Sequence, residues 1–399
     1  MNSNRKIYLL LSFLTCIAFG VYAEGKDDFN PVQTGVTSLG ITPDARGAAM
    51  GDIGAATDPD VNSQFWNPSK YPFAYSRGAV GISYTPWLRK IVNDIYIAYL
   101  AGFWKIGGED IQAISASLRY FSLGEVTTTS PGQTGEGQSL NPYEMAVDIG
   151  YSRKLSENYS MGIVFRYIYS DLGFSDSYAG DQSTGASAFA ADISGYYTSY
   201  PIVGRNECQW SWGWNLSNIG TKVSYNHGDN PAFLPTNLRI GTTFTFPLAN
   251  YHNLTLGLDL NKLLVPTMPR RIDYEDGSDG EIDYVKAYKD WQDMSPITGI
   301  FKSFSDAPGG FKEELREIGV SLGAEYSYNQ QFFLRGGYYY QNPKKGNQQY
   351  LGIGAGFAFK ALRLDASYMV ATAQTSPLDQ TLRFTLTFDM DGIKDIFGI

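Results

Sequence analysis

The sequence predicts an all-β protein, a transmembrane antiparallel β-barrel of about fourteen strands with an N-terminal hatch segment. Three observations carry that expectation. A secretory leader opens the chain, alternating amphipathic segments fill most of the rest, and after Ala23 there is no run of 18 apolar residues to form a spanning helix. In lipid every backbone polar group must be paired within the protein, so a chain without such a helix can enter a membrane only as a closed barrel.

The leader is read over residues 1–23. Arg5 and Lys6 form its basic start, Ile7 to Val21 its apolar stretch, and Val21-Tyr22-Ala23 its cleavage site. Losing it removes Arg5 and Lys6 and leaves 29 basic against 40 acidic residues, a net charge of −11. So acidic a protein is a poor partner for nucleic acid. Cys16 leaves with the leader and Cys208 remains alone, which excludes a disulfide or a cysteine metal cluster within the mature chain. Residues 24–76 are rich in Gly, Ala, Asp and Pro and read as the hatch. Residues 77–399 read as the barrel, with a long external loop at 267–315.

Composition agrees with a barrel. The 399-residue chain has 43 Gly and 29 Tyr, 15% aromatics and only 18% charged residues. Strands with one face in lipid and the other in a lumen need that mixture. Fourteen alternating segments fall near 77–86, 93–106, 110–124, 141–155, 159–172, 186–200, 208–225, 234–248, 252–266, 316–329, 331–342, 348–361, 362–372 and 380–390. In the ninth, Leu254, Leu256, Leu258 and Leu260 oppose Thr255, Gly257, Asp259 and Asn261. With both termini on the periplasmic side, connections after even-numbered strands are expected to be short, as at 107–109, 156–158, 249–251 and 329–330. Those after odd-numbered strands are expected to be longer, as at 125–140, 173–185, 226–233, 267–315 and 373–379. A soluble β-sandwich also alternates, but it explains neither this asymmetry nor the greasy residues on one face of nearly every strand.

The polar face carries Arg119, Asp148, Arg166, Arg239, Asp259, Glu325, Arg335, Arg363, Asp365 and Arg383, expected to face the lumen and to pair there or pin the hatch. No catalytic residue, metal site or cofactor is assigned. His227 and His252 lie in predicted connections, and Ser224 near His227 forms no hydrolase signature. The acidic stretch 273–283 does not follow the EF-hand spacing and reads as a solvated loop. After it, Trp291, Met294, Ile297, Ile300, Phe301, Phe304 and Phe311 make an external stretch rich in apolar residues. Such a stretch marks either a partner site or a loop folded into the barrel mouth. Phe311–Glu317 reads as a short charged helix, and Met390–Ile399 as a tail beyond the last strand.

Three blocks carry a family resemblance. Ile41-Thr-Pro-Asp-Ala-Arg-Gly-Ala-Ala-Met-Gly51 with Asn67-Pro68-Ser69 resembles the N-terminal region of the PorV family, FadL-like outer-membrane proteins of the type IX secretion system. Its motif positions here are Pro43, Asp44, Ala45, Arg46, Met50, Gly51, Asn67 and Pro68. Ile300–Leu315, with Gly323-Ala-Glu-Tyr326 and Leu334-Arg-Gly-Gly-Tyr338, is the second block, and Pro377–Phe384 the third. The resemblance implies a fourteen-stranded barrel with a hatch. It implies binding of secreted cargo through the C-terminal signal domain and transfer from the outer-membrane translocon to a surface attachment complex. There a sortase-like protease removes the signal and joins cargo to lipopolysaccharide, so the implied surroundings are outer-membrane lipid and lipopolysaccharide. Trp291, Phe301, Phe304 and Phe311 are the expected cargo anchors, since buried aromatics tend to carry interface energy. The alternatives are a FadL-like transporter of hydrophobic small molecules and an outer-membrane hydrolase.

Overall fold

The computed structural model describes residues 29–87, 94–108, 110–128, 138–173, 185–225, 231–274, 278–373 and 380–397. The leader, Cys16 and His227 lie outside them, as do parts of the expected loops at 125–140, 173–185, 226–233 and 373–379.

Fourteen strands close into one antiparallel barrel. They are β1 (Gly78–Pro86), β2 (Ile95–Ile106), β3 (Gln112–Leu123), β4 (Tyr143–Lys154), β5 (Tyr159–Asp171), β6 (Ala186–Ser199) and β7 (Gln209–Gly220). Then follow β8 (Asn237–Ala249), β9 (His252–Leu263), β10 (Gly319–Tyr328), β11 (Phe332–Tyr340), β12 (Gln349–Phe359), β13 (Leu362–Ala371) and β14 (Leu382–Asp389). Each strand pairs with its neighbours in sequence, and β1 closes on β14 from Ala79↔Asp389 to Tyr84↔Phe384. Closure leaves no open sheet edge for lipid to meet. No helix among the described residues is long and apolar enough to cross a membrane.

The period of two sorts the side chains. Val80, Ile82, Leu100, Ile114, Ile149, Phe165, Leu256, Leu258, Leu334, Leu351 and Phe384 point outward and stand exposed. Their polar neighbours point in and are buried. Aromatics rim both ends of this band. At the end of the long connections, Tyr84, Tyr96, Tyr120, Tyr143 and Tyr169 run ring to ring, with centroids between 5.5 and 6.1 Å apart. At the end of the short turns, Tyr159, Trp212, Tyr197 and Trp210 form one cluster and Phe332, Phe357 and Phe359 another. Amphipathic rings favour the two membrane–water interfaces, so these rims mark the edges of the lipid-facing band.

Residues 30–74 fill the lumen. The backbone N–H of Asn30 donates to Lys344 O and that of Gly35 to Phe233 O, both at the end of the long connections. The chain then descends through the barrel and reaches the opposite end, where the Arg77 N–H donates to Asp391 Oδ2. This corrects one expectation. The C-terminal helix Met390–Phe397 does follow β14 at the short-turn end, but the first described residues lie at the other end of the barrel.

Candidate functional site

Two places gather functional side chains, the plugged lumen and the platform over the long-connection end. The plug begins with α1 (Ala45–Ala49). Its alanines favour helix, Asp44 caps it by accepting from the Gly47 N–H at 2.8 Å, and it stops at Gly51, whose φ of +70° suits glycine. The second carboxylate oxygen of Asp44 accepts from Trp66 Nε1 at 2.7 Å, tying α1 to α2 (Ser63–Trp66). Asn67 then caps the 3₁₀ turn Pro68–Phe73, with Pro68 at its first position. The Asn67 amide nitrogen also donates to Ala55 O and to Gly195 O of β6.

The motif residues meet the wall one by one. Pro43 O accepts from Thr85, the Ala45 N–H donates to Thr385 Oγ1, and the Arg46 guanidinium reaches Glu325 at 3.0 Å and Asp60 at 3.0 Å. Ala48, Met50, Gly51 and Ile53 press on a row of glycines that face one another across four strands: Gly257↔Gly323, Gly323↔Gly337 and Gly337↔Gly352. A Cβ on Gly337 would stand 2.0 Å from Met50 C, and one on Gly352 would stand 2.2 Å from Ala48 O. The row is therefore a socket in the wall, cut to the depth of the hatch backbone.

The lumen-facing residues expected from sequence all lie on the inner face. Arg166 bridges Asp148 at 2.7 Å and Asp192 at 3.0 Å. Asp259 accepts from the Gly54 and Ala55 N–H groups at 2.8 and 2.9 Å. Arg383 donates to Thr42 O and Arg119 to Ser38 O and Ile41 O. Arg239 lies over the Trp66 ring at 4.4 Å and donates to Asn261. Arg363 pairs with Asp365, which also holds Arg335, and Arg335 reaches Glu325 at 2.5 Å. A buried charge is costly unless paired; here Arg166, Arg335 and Arg363 pair with carboxylates of the wall itself, while Asp259, Arg119 and Arg383 bond the hatch backbone.

The platform is the connection between β9 and β10. It holds α3 (Ser278–Asp293), α4 (Pro296–Lys302) and α5 (Phe311–Arg316). Two expectations need correction here. The acidic stretch was expected to be a solvated loop, yet Ser278 to Asp283 opens α3; residues 275–277 lie outside the described set. Tyr284, Tyr288 and Trp291, four and three apart, give α3 its packing face. Trp291 was expected to be a surface anchor, but it is only 8% exposed. It packs on Phe233 and Val265, and its Nε1–H donates to Pro266 O at 3.0 Å. Phe301, Phe304 and Phe311 are 74%, 50% and 75% exposed and stay on the surface.

Sequence reasoning missed the clamp that holds α5. Lys262 reaches Glu314 at 2.9 Å and Glu317 at 2.5 Å, while Lys345 reaches Glu313 at 2.5 Å and Glu317 at 3.0 Å. The Phe311-Lys-Glu-Glu-Leu block therefore supplies two of the clamp's three carboxylates. Burial raises the Glu313 carboxyl, but Lys345 and the Gly309 N–H outweigh it and hold Glu313 below the usual glutamate range. One signal was legible. Lys262 continues the greasy face of Leu256, Leu258 and Leu260, and a charge there needs a partner.

A family model described as type IX secretion system protein PorV matches residues 24–270. The search of curated proteins found no match. Among solved structures, the chain is similar to the Pseudomonas putida toluene transporter TodX, at 13% identity and TM-score 0.45, covering 86% of this chain and 95% of that one. It is also similar to the Ralstonia pickettii toluene transporter TbuX, at 14% identity and TM-score 0.44, covering 87% and 96%. A Pseudomonas aeruginosa FadL homologue matches at 10% identity and TM-score 0.41, covering 90% and 99%.

Proposed function

This chain belongs to the PorV family of type IX secretion system proteins, as a FadL-like barrel of the bacterial outer membrane, and on that premise we propose that it is a cargo carrier. It binds the C-terminal signal domain of secreted proteins and passes them from the outer-membrane translocon to the sortase-like surface attachment complex. The observation that carries the reading is the family match over residues 24–270.

The geometry supports a surface role. The lumen is filled by a hatch that bonds to itself and to the wall, while the platform keeps large apolar side chains in water. Phe301 and Phe304 are three apart at the end of α4, and Phe311 and Leu315 four apart on α5, all exposed. Exposed apolar surface of this kind marks an interaction site, and aromatic anchors tend to dominate interface energy. Phe301, Phe304 and Phe311 are the anchors of this reading; Trp291 shapes the platform from beneath.

The test is capture of a purified cargo signal domain by the intact barrel. Binding that falls when Phe301, Phe304 and Phe311 are changed together to Ala supports the reading. An intact barrel that captures no signal domain ends it. The transporter alternative requires the hatch to leave its socket. Uptake of a hydrophobic solute into vesicles holding the wild-type barrel would favour that alternative.

A further inference from the structure

The cargo reading uses the phenylalanines of α4 and α5 but not the charges around them, and the fold sorts those charges by sign. The acids turn inward. Asp306 is half-buried and accepts from the Thr267 N–H at 2.9 Å. Glu314 and Glu317 are buried on Lys262, and Glu313 is half-buried on Lys345. Glu314 also accepts from the Ala307 N–H at 2.9 Å and Glu313 from the Gly309 N–H at 2.6 Å. The two clamp lysines share that shelter, Lys345 buried and Lys262 half-buried. Arg316 is half-buried as well. That leaves Lys302 and Lys312 as the exposed charges of residues 296–317, and neither has an ion pair or hydrogen bond among the described residues.

Both lysines border the exposed apolar face. Lys302 follows Phe301 at the end of α4. Lys312 follows Phe311 and stands three before Leu315, on the same side of α5. The neighbouring helix α3 is not sorted, since its exposed charges mix Asp283, Lys286, Lys289, Asp290 and Asp293. A chain with 40 acidic residues against 31 basic ones therefore presents apolar side chains edged by cations at this one place. The clamp offsets the cost of burying carboxylates by pairing them. It also takes their negative charge away from the face that the phenylalanines occupy.

Charge at the rim of an interface steers encounter and selects partners more than it adds affinity. A partner that brings lysines or arginines to this rim is repelled, and one that brings carboxylates is drawn in. An anionic lipid leaflet fits less well, because such surfaces are held by clusters of roughly four to eight basic residues. Here the free cations of α4 and α5 are Lys302 and Lys312 alone. We propose that the cargo signal domain meets α4 and α5 with an apolar patch edged by aspartate or glutamate, whose carboxylates pair with Lys302 and Lys312. The inference rests on the cargo reading and adds to it the sign of the partner's surface.

The experiment measures association and dissociation rates of a purified signal domain on the full barrel, held in nanodiscs of zwitterionic lipid, at low and high salt. At low salt, Lys302→Gln with Lys312→Gln should slow association about three- to tenfold and leave dissociation within about twofold. The wild-type association rate should fall as salt rises, while that of the double variant stays nearly flat. Lys302→Glu with Lys312→Glu should slow association further, and changing a patch carboxylate of the signal domain to lysine should restore part of the rate. Both lysines are exposed and unpaired, so the heat-unfolding midpoint should stay in place. Association that ignores salt and every lysine change overturns the proposal and leaves the cargo reading standing. A signal domain that does not bind the wild-type barrel overturns both. A lysine effect that appears only when anionic lipid is added to the discs also overturns the proposal, because the lysines then hold lipid phosphate.

Discussion

The hatch and the platform use the same side-chain chemistry to opposite ends. Inside the barrel, Arg46, Asp44, Asn67 and Lys70 are buried and partnered, and Met50 sits against a wall stripped to glycine. Over the mouth, a charge clamp of Lys262, Lys345, Glu313, Glu314 and Glu317 holds α5 in place while Phe301, Phe304 and Phe311 face solvent. The first region directs its polar groups to partners within the hatch and on the wall. The second is clamped beneath and leaves three large apolar side chains in water, the surface that the proposed cargo role would use.

Four changes test that contrast. Arg46→Ala should have the largest effect, because it leaves Asp60 without its closest cation and halves the pairing of Glu325. A loss of about 3–5 kcal/mol is expected from breaking a buried pair. It should appear as a lower heat-unfolding midpoint of the detergent-solubilised barrel and as protease access to the hatch. Changing Phe301, Phe304 and Phe311 together to Ala should leave that midpoint unmoved, since exposed side chains contribute little to folding. It should cost about 2–4 kcal/mol in signal-domain affinity, read by titration. Gly337→Ala should cost about 1–3 kcal/mol in stability through overpacking on Met50 and leave cargo affinity intact.

The smallest effect is a pH dependence. Glu313 sits below its ordinary value in the fold. Its contribution is full above about pH 4.3, the unfolded glutamate value, and is lost as pH falls through the lower folded value. Exchange protection of residues 311–317 should therefore hold from neutral pH down to that range and decline beneath it. A decline beginning near pH 6 would contradict the clamp.

The fold was legible because a barrel strand is a local pattern. Leu254 to Leu260 declares its two faces within seven residues, and all fourteen segments became strands, their ends trimmed by a few residues. The plug contacts were half legible. Arg383 and Asp259 could be assigned to the lumen from their parity, but their partners Thr42 and Gly54 come from a segment more than 200 residues away. The glycine socket was hidden because Gly257, Gly323, Gly337 and Gly352 align only through strand register. Trp291 misled because an aromatic in a loop looks the same whether it points at solvent or at Phe233. The rest of α3 was masked by its many charges, which hid the Tyr284–Tyr288–Trp291 spacing.

The central claim is that cargo is held outside the barrel while the interior serves only as a plug. Signal-domain capture should be measured side by side on Gly337→Ala and on the triple phenylalanine variant. The account predicts wild-type capture by the first and lost capture by the second. Capture lost with the disturbed plug but kept without the three phenylalanines would contradict it.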